Sequence, residues 1–181
     1  MKIKNFFVLT GAMGGGKSAV LKHIRKNNFK CIDEPARQIL KEQRRIKGKG
    51  VPEKDPELFC QLMLSRSVHL FQSNADYKDT VVFDRGIPDM IAYADLFGID
   101  KNIYMNAAKV YSYNNIVFMF NGIEEIYTTD DERKMNYKAA EKFGFNVKEI
   151  YKELGYYVTD VPYMSEEERS SFIIETIEKI I

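Results

Sequence analysis

The run Gly11-Ala12-Met13-Gly14-Gly15-Gly16-Lys17-Ser18 constrains the fold more than any other part of this chain, because its flanks fix the elements around it. Phe6-Phe7-Val8-Leu9-Thr10 before it is a compact apolar run suited to a buried strand, and Ala19-Val20-Leu21-Lys22-His23-Ile24 after it has helical spacing. The octet itself satisfies G-x-x-x-x-G-K-[ST] at every required position. Its glycines admit backbone dihedrals closed to other residues, so successive N–H groups can turn inward around phosphates. The helix starting near Lys17 contributes its positive end, Lys17 reaches β- and γ-phosphates, and the Ser18 hydroxyl is placed for Mg²⁺. All eight residues, Gly11 to Ser18, are therefore expected to cradle a nucleoside triphosphate. A glycine-rich turn that binds nothing is the competing reading, and the strand, loop and helix in the required order argue against it.

At 181 residues with 45% hydrophobic content, the chain is long enough for one domain with a substantial core. A formal net charge of +1 gives no general attraction to nucleic acid or to an anionic membrane. No apolar stretch approaches the ~20 residues that span a bilayer. Met1-Lys2-Ile3-Lys4 runs into the first strand with no signal-peptide core, so a cytoplasmic protein is expected. Cys31 and Cys60 form no C-x-x-C site and read as reduced thiols, and His23 and His69 form no metal-ligand pattern.

Further along, Phe29 to Asp33 reads as a second strand, and Pro35 fits the first turn of a helix through Leu40. Lys47-Gly48-Lys49-Gly50-Val51-Pro52 breaks the pattern, and a longer helix is expected over Glu57 to Ser73. Thr80-Val81-Val82-Phe83 is a strand signal ending in Asp84-Arg85-Gly86. Helices near Pro88 to Phe97 and Lys101 to Ser112 lead to another strand candidate, Ile116 to Phe120. From Thr129 to Leu154 the pattern is charged and helical, with an interruption expected around Phe143-Gly144-Phe145; residues 129–154 are read as a lid and the helix after it. Tyr156 to Val161 is a last strand, and Ser165 with Glu168 signals a capping box. This alternation predicts a single α/β domain over residues 1–181: a three-layer P-loop NTPase fold with a parallel sheet, helices on both faces and a helical lid.

A phosphate-binding loop does not by itself select a chemistry, so groups at neighbouring strand ends must do so. Asp84, closing an apolar strand, is the candidate to hold Mg²⁺ opposite Ser18, and Arg85 the candidate to engage a substrate or a transferred phosphoryl group. A surface Asp–Arg ion pair is the alternative. Glu34 is the candidate to position or deprotonate an acceptor hydroxyl, since parallel strands open their loops on one edge; helix capping by Asp33 or Glu34 competes with that role. Arg37 is read equally as a substrate contact or an ion-pair partner. Asp89 and Tyr93 are read as pocket or packing residues. The basic run Lys41 to Lys49 is read as a solvated face.

The loop, Cys31-Ile32-Asp33-Glu34-Pro35-Ala36-Arg37, Val82-Phe83-Asp84-Arg85-Gly86-Ile87-Pro88-Asp89 and Asp130-x-x-Arg133 together resemble the small AAA-annotated P-loop family that includes the ribosylnicotinamide kinase domain of bacterial NAD-regulator proteins. The likeness extends through Tyr151 to Tyr156 and Val161-Pro162. Glu34-Pro35 is similar to the acidic corner of deoxynucleoside kinases, and Asp84-Arg85-Gly86 to their acidic-Arg-Ser segment, with Gly86 where Ser is common. This resemblance implies Lys17, Glu34, Asp84, Arg85 and Arg133 as catalytic residues, Arg133 lying in the segment that resembles a phosphate-closing lid.

The expected activity is an ATP- and Mg²⁺-dependent phosphotransfer, with GTP possible, to a small hydroxyl-bearing metabolite such as a nucleoside or ribosylnicotinamide-like compound. The alternatives are a nucleotide-dependent regulatory switch and, less favoured, a polynucleotide 5′-kinase. A small-molecule phosphate acceptor is the expected partner, with no membrane and no nucleic acid by default.

Overall fold

The structure, a computed structural model, describes residues 1–124 and 135–181. Its elements follow the order β1 (Phe6–Gly11), α1 (Lys17–Lys26), β2 (Lys30–Ile32), α2 (Ala36–Arg45), α3 (Pro56–Ser73), β3 (Val81–Asp84), α4 (Asp89–Phe97), α5 (Asn102–Val110), β4 (Ile116–Phe120), α6 (Tyr137–Glu153), β5 (Tyr157–Asp160) and α7 (Glu166–Glu178). The five strands form one parallel sheet in the order β2-β3-β1-β4-β5.

Because a strand alternates its side chains, β1 supplies two cores at once. Phe6 and Val8 face one apolar cluster, together with Val81 and Phe83 of β3 and residues of α3, α4 and α6. Phe7 and Leu9 face the other, with Val82, Phe118 and Phe120 and with Val20, Leu21 and Ile24 of α1 and Ile173 and Ile177 of α7. The result is the three-layer α/β P-loop fold, with every residue of β1 buried. Continuous apolar runs such as Phe6 to Leu9 are what a doubly covered parallel strand requires.

Local chemistry sets the element ends. Asp55 caps α3 by accepting from the Leu58 N–H at 2.9 Å, Asn136 caps α6 through the Ala139 N–H, and the expected capping box at Ser165 and Glu168 starts α7. Pro35 stands at the cap position of α2, one residue ahead of the expected helical turn.

One expectation fails. The helical pattern does not break at Phe143-Gly144-Phe145: α6 is continuous from Tyr137 to Glu153. Gly144 serves close approach, since a Cβ there would lie 2.8–2.9 Å from the Cβ, Cα and N of Ala12. The helix therefore rests directly on the start of the phosphate-loop segment, and the part of 129–154 that is described is a core-packed helix from residue 137 on. Among the described residues no helix is long and apolar enough to cross a membrane.

Candidate active site

The parallel register carries the chemistry to one edge. β1 pairs Leu9 with Asp84 of β3, and β3 pairs Phe83 with Ile32 of β2. Glu34 and Arg85, each two residues past such a pair, leave the sheet side by side. They meet the loop that follows β1 in one cleft of about 460 Å³. Its walls include residues 13–19, Glu34, Arg37, Asp84, Arg85 and Tyr93.

The loop is built as its glycines require. Gly11, Gly14 and Gly16 have φ of 121°, 78° and 80°, and a Cβ at Gly11 would lie 2.2 Å from the Phe120 carbonyl of β4. Gly16 starts α1 with no side-chain cap, so the first N–H groups of that helix are left for another acceptor. Lys17, 7% exposed, donates to the Ala12 carbonyl at 2.7 Å. Burial, reinforced by the Arg85 charge and opposed by Asp84 and Glu34, brings its pKa down to about 7. A phosphate would restore the charged form.

Asp84 shows the opposite demand. Burial raises its pKa to about 6 against the pull of Lys17, and its Oδ1 has no hydrogen-bond partner. An orphaned carboxylate oxygen in the same cleft as an exposed Ser18 hydroxyl is a hard-oxygen donor set that fits Mg²⁺. Among the described residues no cluster of three or more His, Cys, Asp or Glu could cage a metal unaided.

Arg85 adopts a left-handed φ of 67°, rare for a residue with a side chain, and four contacts hold it there. Its backbone N–H donates to the Leu9 carbonyl at 2.9 Å. Nη1 donates to the Gly11 carbonyl at 3.0 Å and to Asp89 Oδ1 at 2.8 Å. Nε lies 3.0 Å from Glu34 Oε1, an ion pair without hydrogen-bond alignment. Tyr93 donates to the same Glu34 oxygen at 2.9 Å, and burial together with the Glu34 charge keeps that phenol protonated. Glu34 is thus fixed from two sides.

Asp89 organises this group from beneath. Fully buried, it accepts from Thr10 Oγ1, Arg85 Nη1, the Gly86 N–H at 3.0 Å and Tyr151 Oη at 2.7 Å. Gly86 is required here: a Cβ would lie 2.6 Å from the Tyr151 hydroxyl, so a serine could not occupy the position without displacing Tyr151.

The candidates therefore separate. Lys17, Ser18, Glu34, Asp84 and Arg85 line one cleft with the loop residues Met13 to Gly16, while Gly11 and Ala12 anchor the loop on Phe120. Tyr93 and Arg37 also line it, whereas Asp89 lies below it. Asp33 is exposed and pairs with Arg25 at 2.8 Å, outside the cleft. Of the basic run, Arg44 reaches the cleft mouth and pairs with Glu53 at 3.5 Å. Arg133 lies outside the described residues. Cys31 and Cys60 are free thiols, their pKa values raised by burial to about 11 and about 12. Sequence reasoning missed the apolar walls made by Leu40, Phe59 and Phe97, and missed Arg169, which reaches the loop from α7.

The family known as the AAA domain matches residues 6–169. The chain belongs to that family. No curated protein matches it in sequence. Among solved structures it is similar to shikimate kinase from Acinetobacter baumannii in complex with shikimate, at TM-score 0.56 and 15% identity, over 96% of this chain and 93% of that one. It is similar to deoxyadenosine kinase from M. mycoides with products dCMP and dCDP bound, at TM-score 0.67 and 15% identity, over 97% and 100%. It also resembles NadR protein in complex with NR, at TM-score 0.69 and 15% identity, where 97% of this chain covers 52% of that one. At such identities the likeness establishes a shared three-layer α/β P-loop fold.

Proposed function

We propose that this protein is an ATP- and Mg²⁺-dependent phosphotransferase acting on the hydroxyl of a small metabolite, a nucleoside or a ribosylnicotinamide-like compound. The observation that carries the reading is Glu34, held by Tyr93 and Arg85 in the same cleft as Lys17 and the orphaned Asp84 oxygen. A protein that only bound nucleotide would not need a second carboxylate fixed in that cleft, whereas activating an attacking hydroxyl does. The apolar and aromatic walls from Leu40, Phe59, Tyr93 and Phe97 suit the flat ring of a nucleoside. Proteins of similar fold, among them deoxyadenosine kinase and NadR in complex with NR, lend that acceptor class further support.

In this scheme the loop amides and Lys17 bind the triphosphate, while Ser18 and Asp84 hold Mg²⁺, which offsets charge on the phosphate oxygens. Glu34 accepts the proton of the acceptor hydroxyl as its oxygen forms the new O–P bond and the bond to the departing ADP oxygen breaks. Arg85 fixes Glu34 and places positive charge beside the transferred group.

The test is mass-resolved transfer from MgATP to a pooled panel of nucleosides and ribosylnicotinamide. A product heavier by one phosphoryl group, absent with Lys17→Ala, is expected. Glu34→Gln should retain ATP binding and lose transfer by about 10²-fold or more, the scale of general-base catalysis. ATP binding with no transfer to any acceptor would move the reading to a nucleotide-dependent switch.

A further inference from the structure

Arg169 sits in the first turns of α7, far along the chain from the phosphate loop, yet it is 3% exposed and its Nη2 donates to the Gly15 carbonyl at 2.7 Å. Its guanidinium stacks over the Phe120 ring, 4.6 Å from the centroid. A Cβ on Gly16 would lie 2.8 Å from Nη1, so the loop backbone rests directly against the fork. Nε has no partner, and among the described residues no carboxylate forms an ion pair with this arginine. Of the other two buried cations of the site, Arg85 is ion-paired with Glu34 and Asp89, whereas Lys17 has only the nearby charges of Asp84 and Glu34 and its pKa is drawn down to about 7. Arg169 has no ion pair among the described residues and only the nearby charge of Glu166 against a burial that lowers its pKa, an arrangement costly enough that a folded chain keeps it only when something offsets it.

We propose that Arg169 is a positioning residue of the nucleotide site, setting the Gly15–Gly16 peptide and supplying charge whose counter-anion is the bound polyphosphate. The peptide geometry gives the mechanism. In a trans peptide the C=O and the following N–H point in opposite directions, and this chain has no cis bonds among its described residues. Drawing the Gly15 carbonyl outward onto Arg169 turns the Gly16 N–H inward, toward the space enclosed by the loop. Arg169 therefore acts on phosphate through the backbone and through its field. Lysine, a compact point charge, reproduces the charge without the planar fork.

This inference rests on the nucleotide-binding part of the proposed function, and the test separates the two. Equilibrium binding of MgATP, inorganic tripolyphosphate and adenosine is measured by NMR titration for the native chain, Arg169→Met and Arg169→Lys. The expected result is at least a tenfold loss for MgATP and tripolyphosphate in Arg169→Met with adenosine within twofold of native, and Arg169→Lys in between. A merely structural role would weaken all three ligands together, and that outcome overturns the proposal. So does tripolyphosphate binding within twofold of native in Arg169→Met. If the methionine variant fails to fold, Arg169→Lys decides: a threefold or greater loss confined to the phosphate ligands supports the proposal, and native affinity overturns it. A native chain that binds neither MgATP nor tripolyphosphate overturns the nucleotide reading itself and this inference with it.

Discussion

Replacing Gly144 by alanine opposes two effects whose sizes can be compared. In a helix interior, Gly→Ala stabilises by about 1 kcal/mol through backbone entropy. The new methyl, however, would stand 2.8–2.9 Å from three atoms of Ala12, two of them backbone. Ordinary carbon contacts lie near 3.5–4.0 Å, so α6 or the loop must give by about 0.6–1 Å. Ala12 cannot yield cheaply: its N–H donates to Phe120 O at 2.9 Å and its carbonyl accepts from Lys17. Overpacking of this kind costs roughly 1–3 kcal/mol, and this backbone-bound contact belongs at the upper end. The net expectation is a loss of about 1–2 kcal/mol, a fall of about 2–8 °C in Tm for a domain of this size. MgATP affinity should fall with it, because the displaced atoms begin the phosphate loop. Differential scanning calorimetry of Gly144→Ala beside Phe145→Ala isolates the contact, since Phe145 occupies the same helix with its ring 65% exposed. A Gly144→Ala chain stabilised by about 1 kcal/mol, as propensity alone dictates, would refute the reasoning.

Two further outcomes follow from the buried charges. Asp84 has a folded pKa near 6 against 3.8 for the free side chain, so the folded chain binds its proton more tightly. The cost of the ionised form is absent below about pH 4, grows toward pH 6 and persists above it. Asp84→Asn should raise the apo Tm at pH 8 by an amount equivalent to about 1–3 kcal/mol, with the gain vanishing near pH 4, and MgATP should no longer add the native thermal shift. Lys17 works the other way: its pKa, lowered to about 7, penalises the fold below pH 7 and is relieved as pH rises toward 10.5. Tyr151→Phe removes the 2.7 Å hydrogen bond to Asp89 Oδ2, leaving that oxygen the Gly86 N–H. Urea denaturation should show a loss of about 1.5–3 kcal/mol, the range for bonds to a charged group, and an unchanged midpoint would show that the tyrosine does not anchor Asp89.

What the sequence disclosed and what it withheld follow from the range of the forces involved. The glycine-rich loop between β1 and α1, the strand end at Asp84, the corner after β2 that carries Glu34 and the capping box at Ser165 are local patterns, and the fold has each of these elements in place. Gly144 was misread because a glycine in a helical pattern signals a break or a close approach equally well, and only the position of Ala12 decides between them. Asp89 and Tyr93 were ambiguous for a related reason. Four residues apart on α4, one turns beneath Arg85 and the other toward Glu34, a division that helical spacing permits but does not assign. Arg169 gave no local signal at all. It acts on a loop 154 residues earlier in the chain, and nothing in the first turn of a capped helix announces that contact.

The strand order has a consequence for how such a chain can change. β1, which feeds the phosphate loop, is the middle strand, buried along its whole length and bonded on both sides. β2, which feeds the Glu34 corner, is an edge strand of three residues, half-buried throughout. Substitutions on the nucleotide side must satisfy two neighbouring strands and two cores at once. Those beside Glu34 answer to one strand and to the helices α2 and α3. Under the proposed function, the half of the cleft beside Glu34 is thereby freer to drift than the half built on β1 and its loop, and one scaffold can be re-addressed to a new acceptor without rebuilding its engine.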